Sequence, residues 1–418
     1  MRILHVIPSL SPDLGGPPQV AMNLVHALRN LSVDAEIATT DFGLDVPVNQ
    51  RLDYVFDHDH NLSVPTYFLQ HNRPALKEFI FSKALTGWLW KHLPDYDVID
   101  NHYLFSYAPT CAAAIARHKQ VPYTMRTMGQ LTPWALEQSR KKKEIYSLLI
   151  ERRNLNRAAA IHCTAKDEAL DVAAFGIQTP TATLPLGVHA PTRIANAKQE
   201  LREQYNLSNE TAILLFLSRL HYKKRPDLLL KSAARLKSQG KVCHVILAGS
   251  GENEYVIELK QLAQDLGIGA QVSFPGFVNG RDKDLLLQGS DVFVLPSFSE
   301  NFGIAIAEAL AAELPVVITP GIQIAPEIDA AHAGLVVTGE VAPLSEAMTM
   351  LIDMPEVAAQ IRKNGLLLVQ QRYSWQAIAQ QLTPIYKEIQ INQRLLTSRQ
   401  PIEMIQPKLS IELTGQSS

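Results

Sequence analysis

Two glutamates separated by seven residues are the chain's most informative candidates for chemistry. Glu300 lies in the run Ser-Phe-Ser-Glu-Asn-Phe-Gly, and Glu308 lies in the apolar run that follows. This pattern predicts a helix that starts around Asn301 and Gly303, with Glu308 about two turns into it. A helix N-terminus suits phosphate, and carboxylates accept hydrogen bonds from sugar hydroxyls. The segment therefore fits a sugar nucleotide, although a capped core helix with two surface acids explains it equally well.

Loops that suit a diphosphate follow other apolar runs of the chain. They are Gly15-Gly16, Arg219 with Lys224, and Gly249-Ser250-Gly251. Glycines let backbone N–H groups approach a phosphate, and cations balance its negative charge. Each loop alone is more often a tight turn or a solvated surface. Their joint occurrence after predicted strands indicates a diphosphate site.

Short apolar runs alternate with amphipathic stretches through most of the chain. Strands are predicted at residues 3–7, 35–39, 98–101, 121–125, 212–217, 242–248, 271–274, 292–295 and 315–318. Helices are predicted between some of them, at residues 20–31, 225–239 and 255–266. Repeated βα units predict parallel, doubly wound sheets, whose ligands bind at the carboxyl ends of the strands. We predict an α/β fold with two Rossmann-like domains that face each other across a cleft.

The length of 418 residues exceeds the usual length of a single domain with one hydrophobic core. The run Leu-Pro-Leu-Gly-Val at 184–188 predicts a linker, because proline and glycine punctuate it. We predict domains at residues 1–188 and 189–372, and a final helix at 373–391. The polar residues 392–418 show little periodicity and are predicted to form a loose tail.

The composition argues against several classes of protein. A net charge of −2 does not suit a nucleic-acid binder, and no apolar run approaches the ~20 residues of a membrane span. Cys111, Cys163 and Cys243 lie in or beside apolar segments, which predicts buried thiols in a reducing cytosol. The Asp-x-Asp triplets at 57–59 and 95–97 are interpreted as surface acids, and no metal-ligand spacing occurs. We expect a cytoplasmic protein without a metal and without a nucleic-acid partner.

The sequence resembles the family 4 glycosyltransferases of the GT-B fold, which transfer sugar from a nucleotide donor with retention of anomeric configuration. The resemblance covers residues 1–390, and its most specific part is the E-x7-E pattern from Glu300 to Glu308. Ser218-Arg219-Leu220 with Lys224 matches the donor-phosphate loop, although Ser218 and Arg225 stand where the family usually has glycine. Gly15-Gly16 matches the N-terminal glycine loop. Tyr373-Ser374-Trp375 resembles the start of a last helix that crosses back onto the first domain.

The resemblance implies roles for the donor-binding residues. Arg219 and Lys224 are expected to neutralise the donor diphosphate, and Glu300 to accept hydrogen bonds from the donor sugar. Glu308 is expected to accept hydrogen bonds from the ribose. The resemblance implies no metal and no bound cofactor, because the nucleotide sugar is a co-substrate. No protein nucleophile is required either.

Backbone contacts to the donor are implied as well. Asn301, Phe302 and Gly303 are expected to offer backbone amides, and Val278 is expected to hold the base through its backbone. Gly16 is expected to let the first domain reach the donor when the domains close.

A second local resemblance concerns residues 126–136, followed by lysines at 141–143. This stretch resembles bacterial exopolysaccharide glycosyltransferases, many of which have a histidine that contacts the donor sugar at the position of Met128. Either Arg126 or His102 covers that role, or the donor differs, or activity is reduced. His102 ends a predicted strand, and a hydrogen-bonded histidine with no role in binding is an equally good interpretation.

A basic run contains Arg140, Lys141, Lys142 and Lys143. It is either a solvated helix face or a contact for anionic lipid or a lipid-diphosphate acceptor at the inner face of the plasma membrane. The resemblance implies a glycan or lipid-linked glycan acceptor.

Three other functions are compatible with parts of this pattern. A dinucleotide-dependent oxidoreductase would have Gly-x-Gly-x-x-Gly after the first strand, where this chain has Gly-Gly-Pro-Pro. Pyridoxal-dependent phosphorylases are much longer. A catalytically weak scaffold subunit of a polysaccharide assembly complex is favoured by Met128 and disfavoured by Arg219, Lys224, Glu300 and Glu308.

Overall fold

The computed structural model describes residues 1–57, 62–74, 79–137, 146, 150–300 and 302–400. They form two compact units. The first unit comprises Met1–Gly187 and the segment that begins at Arg372, and the second comprises Val188–Gln371.

The first unit contains an eight-stranded sheet in the order β3-β4-β2-β1-β5-β6-β7-β8. Its strands are β1 (Arg2–Ser9), β2 (Asp34–Thr40), β3 (Gln50–Asp57), β4 (Leu62–Leu69), β5 (Val98–His102), β6 (Tyr123–Arg126), β7 (Ala160–Cys163) and β8 (Thr181–Thr183). All neighbours pair in parallel except β3, which is antiparallel to β4. The strand order reverses between β1 and β5, the position where doubly wound sheets bind ligands.

The second unit contains a six-stranded, fully parallel sheet in the order β11-β10-β9-β12-β13-β14. Its strands are β9 (Ala212–Leu217), β10 (Cys243–Ala248), β11 (Val272–Gly276), β12 (Val292–Leu295), β13 (Val316–Ile318) and β14 (Gly334–Val336). Every residue of β9 is buried, as expected for a strand covered on both faces. The strand order reverses between β9 and β12.

Helices of the first unit are α1 (Gly16–Asn30), α2 (Lys83–His92), α3 (Tyr107–Lys119), α4 (Pro133–Glu137), α5 (Arg152–Asn156), α6 (Lys166–Ala174) and α15 (Trp375–Asn392). Helices of the second unit are α7 (Ala197–Gln204), α8 (Pro226–Ser238), α9 (Asn253–Asp265), α10 (Gly280–Gly289), α11 (Ile304–Ala311), α12 (Ala325–Ala330), α13 (Val341–Asp353) and α14 (Pro355–Leu368).

The prediction for α1 was wrong at its start. The helix begins at Gly16 and not at Val20, because Pro17 and Pro18 fit the first turn, where no intrahelical N–H bond is needed. The predicted strand at 121–125 begins at Tyr123, because Val121 instead closes the end of α3 through a bond to the Ala116 carbonyl.

The C-terminal helix α15 packs on α1 within the first unit. Ser374 caps it by accepting a hydrogen bond from the Ala377 N–H (3.1 Å). Its buried face, including Ile378, Leu382 and Ile385, shares one apolar cluster with residues of α1 such as Leu24. A helix at the end of the chain thereby completes the core of the N-terminal unit.

The prediction of a loose tail from residue 392 is wrong for residues 393–400. The N–H of Arg399 donates to the Thr181 carbonyl (2.8 Å), and the N–H of Thr183 donates to the Arg399 carbonyl (3.0 Å). Leu395 is buried and its N–H donates to the Ala159 carbonyl (3.0 Å). β8 would otherwise be an edge strand with unpaired polar groups, and the tail satisfies them. Residues 401–418 lie outside the described part of the chain.

Two of the three cysteines are buried as predicted. Cys163 and Cys243 are buried, whereas Cys111 is only half-buried, which corrects the prediction for that residue. It lies on α3 near the surface, and its sulfur is 3.6 Å from the Thr86 hydroxyl.

A fully buried carboxylate, Asp100, joins β5, β6 and α15 of the first unit. It accepts hydrogen bonds from the Thr124 hydroxyl (2.9 Å), the Arg126 guanidinium (2.9 Å) and the hydroxyl of Tyr386 in α15. Burial alone would raise the pKa of Asp100, but the Arg126 guanidinium holds that pKa well below its usual range. The carboxylate is therefore ionised and fully compensated inside the unit.

Three buried histidines surround this carboxylate. Nδ1 of His5 lies 2.9 Å from Nε2 of His102. Burial lowers the pKa of His5 to about 4 and that of His162 to about 3, although Asp100 opposes the shift. These histidines are neutral at pH 7.

A second buried carboxylate, Glu168, joins the loops after β6 and β7. It accepts four hydrogen bonds, from the hydroxyl of Thr127, the N–H of Gly129, and the N–H and hydroxyl of Thr164 (2.5–2.7 Å). The loop that carries Met128 is therefore fixed by a residue of α6.

We predict that the stability of the first unit falls in mild acid. A histidine whose pKa is lowered by folding stays neutral in the native state while the unfolded chain takes up a proton. Each such histidine should therefore reduce the unfolding free energy by about 1.4 kcal/mol per pH unit, from pH ~6.5 down towards its folded pKa. Urea unfolding at pH 7.5, 6.0 and 5.0 measures this slope.

The matched variants are His162→Asn and, as a control, His118→Asn on the exposed end of α3. His162→Asn should reduce the pH dependence of the unfolding free energy by the contribution of one histidine, about 1.4 kcal/mol per pH unit. His118→Asn should leave the pH dependence as in the wild type. An unchanged slope in His162→Asn would contradict the prediction.

Candidate functional site

The candidate donor site lies in the second unit, at the carboxyl ends of β9 and β12. The loop after β9 carries Arg219 and Lys224, and the loop after β12 carries Glu300. The two loops touch directly, because the N–H of Phe298 donates to the Lys223 carbonyl (2.9 Å). These strands are neighbours at the point where the strand order reverses, so the fold itself brings these residues together.

Lys224 and Glu300 form an ion pair across the two loops. Lys224 is only 9% exposed. Burial lowers the pKa of Lys224 to about 8, and the Arg219 and Lys223 cations add to that shift. The ion pair with Glu300 acts in the opposite direction. The two residues predicted to act on diphosphate and donor sugar are thus each other's partners in the unliganded chain.

The backbone around Glu300 is fixed by the loop after β13. The N–H of Glu300 donates to the Gly321 carbonyl (3.2 Å), and the N–H of Gln323 donates to the Glu300 carbonyl (3.1 Å). Gly321 permits this contact, because a Cβ there would lie 2.1 Å from the Phe298 carbonyl oxygen. Glu300 is therefore held from both sides.

The predicted helix after Glu300 exists but starts later than expected. α11 begins at Ile304, and its N-cap Gly303 has a left-handed φ of 77°. Glu308 is consequently the fifth residue of the helix, a little over one turn in and not two. Phe302 is buried beneath the loop, and Asn301 lies outside the described residues.

Glu308 has a partner that the sequence did not suggest. Nζ of Lys283 lies 2.8 Å from Oε1 of Glu308. Lys283 belongs to α10, which follows the segment expected to hold the base. In that segment Val278 is half-buried and Phe277 is 73% exposed. Val278, expected to contact the base, and Glu308, expected to contact the ribose, are thus connected through α10.

The glycines after β10 have a packing role. Gly249 has φ 145°, and a Cβ there would lie 1.9 Å from the Ser218 carbonyl oxygen. A Cβ on Gly251 would lie 2.4 Å from the Leu220 carbonyl oxygen. These glycines let the loop pack against the segment that carries Arg219.

Arg225 shows how this chain accommodates its departure from the family's glycine. It adopts a left-handed conformation with φ 56°. Its guanidinium donates to the Gly339 carbonyl (2.7 Å) and lies 4.3 Å from the centre of the Phe298 ring. These contacts offset the unfavourable backbone conformation and hold the Phe298 loop.

The loops at the carboxyl ends of β1, β5 and β6 form a connected rim in the first unit. Gly16 is the first residue of α1. The Tyr103 hydroxyl donates to the Leu14 carbonyl (3.2 Å), and the Leu104 N–H donates to Oε1 of Gln130 (2.6 Å). Tyr103, Phe105 and Met128 all have positive φ, a conformation that is rare for bulky side chains and clusters at functional sites.

The residues considered as substitutes for the missing histidine lie in different surroundings. His102 is fully buried against His5, which matches the interpretation of a hydrogen-bonded histidine at a strand end. Arg126 is buried in its ion pair with Asp100. Met128 is half-buried and packs against the core between α1 and α15.

His5, Asp100 and His102 are close enough to be considered as metal ligands. Both oxygens of Asp100 already accept hydrogen bonds, and the Arg126 cation lies beside them. A second cation here would meet strong repulsion in a buried site. The arrangement favours a hydrogen-bonded network over a metal centre.

The basic run at 140–143, the arginines that follow it along the chain and the acidic triplets are only partly within the described residues. Residues 140–143 lie outside the described residues, whereas Arg152 and Arg153 are exposed on α5. The triplet at 95–97 directly precedes β5, and of the triplet at 57–59 only the first residue is described. In the described part of the chain, no helix combines the length and the apolar character that crossing a membrane would need.

Two family models match successive parts of the chain. "Glycosyl transferase 4-like domain" matches residues 15–187, and "Glycosyl transferases group 1" matches residues 197–367. Between them they span most of both units.

Curated relatives agree with these models. A D-inositol 3-phosphate glycosyltransferase 2 from Catenulispora acidiphila is 27% identical over 92% of this chain and 93% of its own length. An alpha-D-kanosaminyltransferase from Streptomyces kanamyceticus is 29% identical over 46% of this chain, a match that spans about half (49%) of that relative. A relative from Bacillus subtilis that carries the name "Putative glycosyltransferase EpsD" is 30% identical over 40% of this chain and 43% of its own length.

Solved structures share the fold. Anabaena Alr3699/HepE, crystallised with UDP and glucose, superposes with a TM-score of 0.67 at 21% identity, over 93% of this chain and 100% of that one. This match shows the fold alone, and the two family models show the family. The chain belongs to the family 4 glycosyltransferases of the GT-B type.

Proposed function

We propose that the chain transfers a sugar, with retention of configuration, from a nucleoside-diphosphate sugar to a glycan or lipid-linked glycan acceptor in exopolysaccharide synthesis. The observation that carries this proposal is the grouping of Arg219, Lys224 and Glu300 on adjoining loops of one sheet edge. The UDP and glucose bound to HepE and the name of EpsD point the same way.

The chemistry follows from the charges at this edge. In a dissociative displacement at the anomeric carbon, negative charge builds on the departing diphosphate. Arg219 and Lys224 stabilise that charge, and the backbone amides at Gly303 add to the stabilisation. The departing phosphate oxygen takes the acceptor proton, so no protein nucleophile is needed. Glu300 accepts hydrogen bonds from the hydroxyls of the donor sugar.

The ion pair between Lys224 and Glu300 gives donor binding a defined consequence. A diphosphate that takes Lys224 as its counter-ion withdraws it from Glu300. The freed carboxylate then accepts hydrogen bonds from the donor sugar. The diphosphate and the sugar of the donor thus replace the ion pair that Lys224 and Glu300 form with each other in the unliganded chain.

Calorimetry with UDP, GDP and ADP tests the proposal. One of them should bind the wild-type protein. Glu308→Ala should weaken that binding about tenfold, because the ribose hydroxyls lose a charged acceptor. Glu258→Ala, an exposed position on α9, is the control and should bind as the wild type. Absence of binding to all three nucleotides would favour a scaffold subunit, the alternative that Met128 supports.

The pKa of Lys224 predicts an upper pH limit for turnover. The ammonium form is needed to bind the diphosphate, so kcat/KM should fall about tenfold per pH unit above a pKa of about 8. Lys224→Arg should extend the plateau to higher pH, because guanidinium remains charged. Lys223→Arg, the exposed neighbour, should leave the limit in place. A limit that persists in Lys224→Arg would assign it to another group.

We also propose that the basic run at Arg140, Lys141, Lys142 and Lys143 contacts anionic lipid, which suits a lipid-linked acceptor. Replacing the four residues with glutamine should reduce sedimentation with vesicles of phosphatidylglycerol and phosphatidylcholine. Binding to pure phosphatidylcholine should stay low in both proteins. Equal binding of wild type and variant to anionic vesicles would overturn this proposal.

A further inference from the structure

The ion pair of Lys283 with Glu308 connects two helices that follow different strands. Lys283 lies in the first turn of α10, after β11, and Glu308 lies in α11, after β12. Their charged atoms are 2.8 Å apart, and both side chains are largely shielded, with 31% and 22% of their surface exposed. The pair therefore bridges the segment at Val278 and the helix that carries Glu308.

The position of Lys283 is unfavourable for α10 by itself. A cation in the first turn of a helix opposes the partial positive charge of its N-terminus. Its neighbour Arg281 is turned to another partner and forms two bonds with Glu200 (2.7 and 2.9 Å). The interaction that accounts for the placement of the Lys283 side chain is its bond to Glu308.

The bond leaves one oxygen of Glu308 available. Lys283 contacts Oε1, and none of the residues that the structure describes donates a hydrogen bond to Oε2. A carboxylate held by one oxygen has a defined orientation and presents the other to a ligand. A ribose offers two adjacent hydroxyls that donate to such an oxygen.

We propose that Lys283 is a positioning residue for the nucleotide, which orients the Glu308 carboxylate towards the ribose hydroxyls. This inference rests on the proposed function, in which Glu308 binds the ribose. It assigns specificity for ribose over deoxyribose to a residue outside the E-x7-E motif. A partly exposed ion pair contributes little to folding, so its loss should appear in ligand binding and not in stability.

The test compares the full-length wild type with Lys283→Met and Lys283→Arg by calorimetry. The ligands are UDP and 2′,3′-dideoxy-UDP, with the corresponding GDP and ADP pairs used if UDP does not bind. Lys283→Met should bind the ribose nucleotide about tenfold more weakly and the dideoxy nucleotide nearly as well as the wild type. Lys283→Arg should restore most of the preference. Arg281→Met, two residues before Lys283 and paired with Glu200, should change neither affinity.

A double variant separates positioning from other effects. In Glu308→Gln the further change Lys283→Met should cost little, because the two residues act through one contact. Equal weakening for both nucleotides in Lys283→Met, or no weakening, overturns the inference while the proposed function stands. Failure of the wild type to bind any of the nucleotides overturns the proposed function and the inference together. Thermal unfolding of each variant verifies that it is folded.

Discussion

Burial of one ionised carboxylate constrains the whole first unit. Asp100 has no contact with water and depends on Thr124, Arg126 and Tyr386 for compensation. Removing a partner of a buried charge costs several kcal/mol, because the remaining charge is left unpaired. The sheet and the C-terminal helix must therefore assemble together, although 286 positions separate Asp100 and Tyr386.

This constraint extends to the rim of loops above the sheet. β5 and β6 carry Asp100 and Arg126, and their loops contain the residues with positive φ. Glu168 fixes the β6 loop from its other side through Thr127 and Gly129. Two buried carboxylates, one below the rim and one beside it, thus hold backbone conformations that the local sequence does not favour.

Much of the fold was accessible from the sequence because buried parallel strands read as apolar runs. The strand at 212–217 matches its prediction. The antiparallel β3 was missed, because apolar and polar residues alternate in Gln50–Asp57 and it contains no long continuous apolar run. The docked tail was missed for a different reason, since Arg399 pairs through its backbone and no side-chain pattern reports that.

The site shows the same division between local and distant information. Glu300 and Glu308 belong to a contiguous motif, so their placement after β12 followed from the sequence, while the start of α11 did not. Lys283 lay beyond prediction, because its meaning depends on a contact between two separate helices. The sequence shows that Arg225 replaces a glycine of the family, but only the structure shows that its guanidinium donates a hydrogen bond to the Gly339 carbonyl.

The docking of residues 393–400 on β8 bears on how the chain can be shortened. The last strand of the eight-stranded sheet has its outer backbone groups bonded to Arg399, so it does not offer them to another molecule. A truncation that removes this segment would open a strand edge to pairing with a second copy, a common origin of self-association. The boundary for a shortened, monodisperse protein should therefore lie after residue 400.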